Sequence, residues 1–154
     1  MSLHSVERTL LLVKPDGVMR GLIGEVISRI ERKGLKIAGL KILTLTKEQA
    51  ESLYSIHRTK EFYPRLIRHI TSGPVAAVVI EGPDCVRAVR RVVGATNPQE
   101  ATPGSIRGDL ALNTTENVVH AADSVENAEY EIEILFKQYE MNHSKPAAES
   151  RYQR

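Results

Sequence analysis

A chain of 154 residues with 42% hydrophobic and 26% charged side chains can bury a core as one domain, and its composition is neither that of a disordered chain nor that of a membrane protein. A formal charge of +2 does not by itself mark a nucleic-acid binder, and the single cysteine, Cys85, excludes an intramolecular disulfide and a cysteine-rich zinc site. The longest early apolar run, RTLLLV, is too short to span a bilayer and has no small-residue cleavage site, so a soluble, cytoplasmic protein is expected.

Taken in chain order, the apolar run from Arg8 to Lys14 is broken by Pro15, Asp16 and Gly17, which predicts a buried strand ending near Lys14. Ile23, Val26, Ile27 and Ile30 recur at helical spacing until Lys33 and Gly34 stop them. From Leu35 to Leu43 the residues alternate as in a strand, Leu35, Ile37 and Gly39 against Lys36, Ala38 and Leu40. Thr46 and Gln49 form a capping box that opens a helix through Leu53 and Tyr54. A second helix is expected from about Glu61 to Ile70, with Leu66, Ile67 and Ile70 on one side.

PVAAVVIEG reads as another buried strand, and the following helix starts at Pro83 and Asp84 and ends at Gly94, with Cys85 as a buried thiol. Periodicity then vanishes for about twenty residues, a loop long enough to be functional, with Arg107 and Asp109 in its middle. The short strand NVVH follows, and a helix opens at Asp123, with Glu126 as its capping partner and Ala128, Ile132, Leu135 and Phe136 as its apolar stripe. This order predicts an α+β fold: a ferredoxin-like βαββαβ sandwich with a four-stranded antiparallel sheet, helices on one face, an inserted helical pair and a long loop before the last strand. The single domain spans 1–154, with its core over about 8–140 and a polar tail at 144–154.

Walker, G-x-G-x-x-G and G-x-S-x-G motifs are absent, and His57, His69, His120 and His143 lack metal-ligand spacing. Any chemistry must therefore come from scattered residues that converge. His120 sits where an apolar run meets a helix N-terminus; it is either a core histidine at a strand end or a nucleophile at an anion-friendly terminus. Glu131 flanks the stripe on that helix, and is either solvated or paired with a nearby imidazole, leaving the second ring nitrogen free to attack. Lys14, Arg90 and Arg107, with Thr96 as a neutral donor, are surface charges singly but would together suit a polyphosphate. Phe62 could stack a base or plug the helical pair into the core.

With these residues assembled, the chain resembles the nucleoside diphosphate kinase family from about Arg8 to Phe136, through VKPDGVMRGLIGEV, SGPVAAVVIEG, VGATNP, PGSIRGD and NVVHAADSVENAEYEI in that order. The resemblance implies a ping-pong transfer of the γ-phosphoryl from a nucleoside triphosphate to another nucleoside diphosphate through a phosphohistidine at His120. Glu131 matches the acid that orients the imidazole, and Lys14, Tyr54, Arg90, Thr96, Arg107 and Asn117 match the rest of the active-site set. Lys14, Arg90, Thr96 and Arg107 would hold phosphates, Asn117 and Lys14 the sugar hydroxyl, and Phe62 the base, with Leu66 and Thr114 as neighbours. Mg²⁺ would arrive on the nucleotide phosphates, with Asp123 reaching it through water. A homo-oligomer is implied, a hexamer in preference to a tetramer, with no need for membrane or nucleic acid.

One position departs from the family pattern. His120-Ala121-Ala122-Asp123 stands where a serine usually precedes the aspartate, which removes a hydroxyl beside the nucleophile. Two other classes fit parts of the sequence: a nucleotide-binding regulatory module without turnover, and a nucleic-acid-binding domain using the basic residues of RLIRH and RAVRR. The second lacks an aromatic pair on a strand.

Overall fold

The protein is described from a computed structural model over residues 6–142; the expected polar tail at 144–154 lies outside the described residues. Strand β1 (Val6–Val13) leads into a short helix α1 (Pro15–Met19) and then α2 (Ile23–Arg32). Strand β2 (Lys36–Leu43) is followed by α3 (Lys47–Leu53), a 3₁₀ turn at Ser55–His57 and α4 (Tyr63–Ile70). Strand β3 (Val75–Pro83) precedes α5 (Cys85–Val93), α6 (Ile106–Leu110), strand β4 (Val119–Ala121) and α7 (Val125–Leu135), and a 3₁₀ turn at Gln138–Glu140 closes the described chain.

The sheet order is β2-β3-β1-β4 and every pairing is antiparallel, as the βαββαβ reading requires. Helices cover both faces, however, not one. The run from Leu10 to Val13 is apolar at every position, so each face of β1 must be shielded from water. Leu11, Val13, Val78 and Ile80 pack beneath α2 and α5, whereas Leu10, Leu12, Ala77 and Val79 pack beneath α3, α4 and α7.

Several boundaries differ from the sequence reading. The residues after Lys14 form α1 with Pro15 at its first position, and the long loop contains α6, capped by the Ser105 hydroxyl accepting from the Gly108 amide. Helix α4 begins at Tyr63, not Glu61. The last helix is capped by Ser124, whose hydroxyl accepts from the Asn127 amide, while Asp123 lies one residue outside. In β2 a bulge at Ala38, between the pairs Ile37–Ile80 and Gly39–Val79, breaks the simple alternation. Beyond it Leu40 and Ile42 lie exposed on the edge strand. The capping box at Thr46 and Gln49 and the stop at Gly34, which has φ +97°, are as expected.

Candidate active site

Sheet register sets the histidine. His120 pairs with Leu12, and strand alternation gives both the same face, the one covered by α7 and the α3–α4 segment. There α7 offers Glu131, buried between Ala128, Ile132 and Leu135. Its Oε1 lies 2.5 Å from His120 Nε2. A carboxylate accepts, so Nε2 carries a proton, and in the neutral imidazole Nδ1 then keeps its lone pair. The Tyr54 ring meets the imidazole edge-on with centroids 5.2 Å apart.

Three cations converge beside it. Lys14 follows β1 and is 3% exposed; its Nζ donates to the Thr115 carbonyl at 2.7 Å and to Asn117 Oδ1 at 2.9 Å. Arg107, on α6 and 4% exposed, donates to the carbonyls of Gly94, Asn117 and Val119. Arg90, on α5, donates to the Ala121 carbonyl at 3.1 Å. The helix unforeseen in the loop is therefore what aims Arg107.

These charges strain one another. Burial pushes the Lys14 ammonium down to about 8, against the pull of Asp16, and the charge on Arg107 adds to the fall. Burial, then Arg90, push the Arg107 guanidinium down to about 10, still charged at neutral pH. Buried cations whose direct partners are neutral oxygens make a site that an anion would complete.

The segment entering β4 is unusual. Val118 is buried at φ +75°, and the Val119 amide donates across it to the Asn117 carbonyl at 2.8 Å. Sequence reasoning had no signal for this turn, nor for Asp16, which accepts from the Val118 amide at 3.0 Å and meets His69 Nε2 at 2.9 Å. Burial tends to raise the Asp16 carboxyl, but the His69 hydrogen bond, the Lys14 charge and the Val118 amide outweigh it and hold it below its ordinary value.

Phe62 is 48% exposed, its ring 5.4 Å from that of His57, while Tyr63 and Leu66 pack against the core. The Phe62 ring is thus half-exposed beside His57 and not sealed within the core. His57, another residue the sequence reading left unused, is held below its ordinary pKa by burial and then by His120 and Lys60, with Asp123 opposing. The Thr96 carbonyl accepts from Asn117 Nδ2 at 3.1 Å, and the side chains of Thr96 and Thr114 are exposed. Ala122 is 1% exposed and packs with Val86 and Ala128, so the position of the missing hydroxyl is filled by apolar contact.

Among the described residues no cluster of three His, Cys, Asp or Glu side chains could hold a metal ion. Asp123 is exposed and accepts from Asn127 Nδ2 at 2.6 Å.

The sequence model of the nucleoside diphosphate kinase family matches residues 7–141. A nucleoside diphosphate kinase of Staphylothermus marinus is 56% identical over 137 residues, covering 89% of this chain and 97% of the relative. That of Archaeoglobus fulgidus is 55% identical, covering 88% and 90%. Among solved structures, the Halobacterium salinarum nucleoside diphosphate kinase in complex with CDP superposes with a TM-score of 0.90 at 42% identity, covering 96% of this chain and 99% of that one. The Aquifex aeolicus nucleoside diphosphate kinase gives a TM-score of 0.86 at 38% identity, over 90% and 100%. This chain belongs to the nucleoside diphosphate kinase family, enzymes that transfer a phosphoryl group between nucleotides.

Proposed function

We propose that this kinase works through a covalent intermediate at His120. Nδ1 attacks the γ-phosphorus of a nucleoside triphosphate as the bond to the bridging oxygen breaks, and the diphosphate leaves with that electron pair. The terminal oxygen of a second nucleoside diphosphate then takes the group, restoring the neutral imidazole. Glu131 keeps the Nε2 proton throughout and balances the charge that grows on the phosphorylated ring, while Tyr54 limits its tilt. The bond from His120 Nε2 to Glu131, beside three facing cations, is the observation that carries this reading.

Lys14, Arg90, Thr96 and Arg107 hold the phosphates, and Asn117 with Lys14 takes the sugar hydroxyl. Phosphoryl transfer asks mainly for positioning and charge stabilisation, which such a cradle supplies. Phe62 stacks the base, near Leu66 and Thr114; a π-face is common to all bases, so broad nucleotide tolerance follows. The divalent metal is Mg²⁺, which neutralises phosphate charge when bound, and Asp123 is the carboxylate to meet its water shell. The whole chain acts as one domain, in the cytoplasm, as a homo-oligomer with a hexamer favoured over a tetramer. Supporting association, Leu40 and Ile42 are exposed on the edge strand β2.

Incubation with γ-labelled ATP and Mg²⁺ tests the mechanism. Acid-labile, alkali-stable label that chases onto GDP and is lost in His120→Ala is expected. Native protein that binds ATP but takes no label would overturn it.

A further inference from the structure

We infer that Asp16, braced by His69, is a positioning residue for phosphoryl transfer: it holds the strained turn at Val118 that carries the chain from Asn117 into His120. The inference rests on the reading of His120 as the nucleophile.

Three observations support it. A three-residue turn closed by the Val119 amide on the Asn117 carbonyl, with φ +75° at its centre, is the rarer and strained hand of γ-turn. A β-branched side chain makes that conformation worse, so something outside the turn must hold it. The restraints are few. The Val118 carbonyl accepts from the Lys14 amide at 2.8 Å, and Arg107 donates to the carbonyls on either side, those of Asn117 and Val119. The remaining polar group, the Val118 amide, is bound by Asp16 Oδ2.

Asp16 is itself fixed. Its second oxygen meets His69 Nε2, both side chains are largely buried, and α1 and α4 thereby brace each other. Gly17, the next residue, allows the close approach: a Cβ there would lie 2.9 Å from the Val118 carbonyl oxygen and 2.8 Å from Val13 Cγ1. These groups belong neither to the phosphate cradle nor to the imidazole pair.

The position of the turn gives it consequence. Asn117 binds Lys14 and the Thr96 carbonyl through its side chain, while β4 has only three paired residues to hold His120 in register. If Val118 relaxed to an ordinary extended conformation, Asn117 and His120 would lose their fixed relation. Misplacement of this kind slows the chemical step more than it weakens ground-state binding, because productive geometry is what is lost.

The test uses the full-length protein in its native assembly and compares Asp16→Ala and His69→Ala, each alone and each combined with Val118→Gly. Readouts are ADP affinity, the single-turnover rate of His120 labelling from γ-labelled ATP, and amide hydrogen exchange over residues 117–119. Asp16→Ala should slow labelling about 10–100-fold with little change in ADP affinity, and exchange at the Val119 amide should rise. Glycine adopts positive φ without strain, so Val118→Gly in that background should recover about tenfold of the rate.

A merely structural role predicts the opposite, since glycine in place of a buried valine destabilises further. Asp16→Ala with a labelling rate near native, or a loss that Val118→Gly does not restore, overturns the inference. Should Asp16→Ala not fold, His69→Ala carries the test: slower labelling that Val118→Gly recovers upholds it, and an unchanged rate overturns it. Absence of label on the native protein is a different outcome, which overturns the His120 reading beneath it.

Discussion

Lys14 Nζ donates to Asn117 Oδ1 at 2.9 Å, joining the end of β1 to the segment that enters β4. Burial holds this ammonium down to about 8, so it titrates within an accessible range. The folded pKa lies below the unfolded value of about 10.4, and the unfolded chain therefore binds the proton more tightly. Charged Lys14 thus opposes folding fully below pH 8, and the penalty is relieved as pH rises from about 8 to about 10.5. Urea unfolding across that window should show native protein gaining on the order of 3 kcal/mol relative to Lys14→Met. Nucleotide affinity should move the other way, falling as the charge is lost.

Glu131 is buried against the stripe of α7 and has His120 as its polar partner. Replacing it with Gln keeps the shape but lets an amide NH₂ face the ring, which permits the wrong tautomer. Turnover should fall about 10–100-fold with nucleotide binding retained. Nitrogen-15 NMR of the imidazole checks the cause, because the Nε2–H tautomer should lose its dominance.

Arg107 contributes to the site twice, as a cation and as the tie between three carbonyls. Arg107→Ala should cost about 2.7–4 kcal/mol of transition-state stabilisation, by analogy with single oxyanion donors. Arg107→Lys should recover little of it, since a point charge cannot span Gly94, Asn117 and Val119. Steady-state kinetics of both variants tests this.

Ala122→Ser places a hydroxyl in a pocket shared with Val86 and Ala128. His120 and Glu131 already meet without it, so kcat should change little. Stability should fall by about 1–3 kcal/mol where the hydroxyl finds no partner. Thermal denaturation and turnover of the variant decide between this and a rise in both, which would mean the hydroxyl completes the site.

Much of this architecture was legible because its signals are local and apolar. The unbroken runs of β1 and β3, the stripe of α7 and the box at Thr46 each announce themselves within a few residues. Helices α1 and α6 do not, because PDGVM and IRGDL each carry a glycine and are too short to be stable alone. They persist through distant bonds, such as Arg29 to Asp109 and Arg20 to the Leu110 carbonyl. The bulge at Ala38 and the turn at Val118 were equally silent, since each is imposed by a partner strand or side chain remote in sequence. His120, Glu131 and the cations could be named from the sequence, whereas the means by which Asp16 and His69 constrain them could not.

The first and last strands of the sheet, β1 and β4, lie side by side, so the Lys14–Asn117 bond spans 103 residues and Glu131 comes later still. A chain emerging from the ribosome therefore has no rudimentary version of this centre. Until α7 has been synthesised the histidine lacks its carboxylate, and until β4 has docked the lysine lacks its amide. Nucleotide cannot act as a template for the early portions of the protein, nor rescue a product truncated before Glu131. Synthesis must pass Glu131 before ligand can distinguish a sound molecule from a failed one.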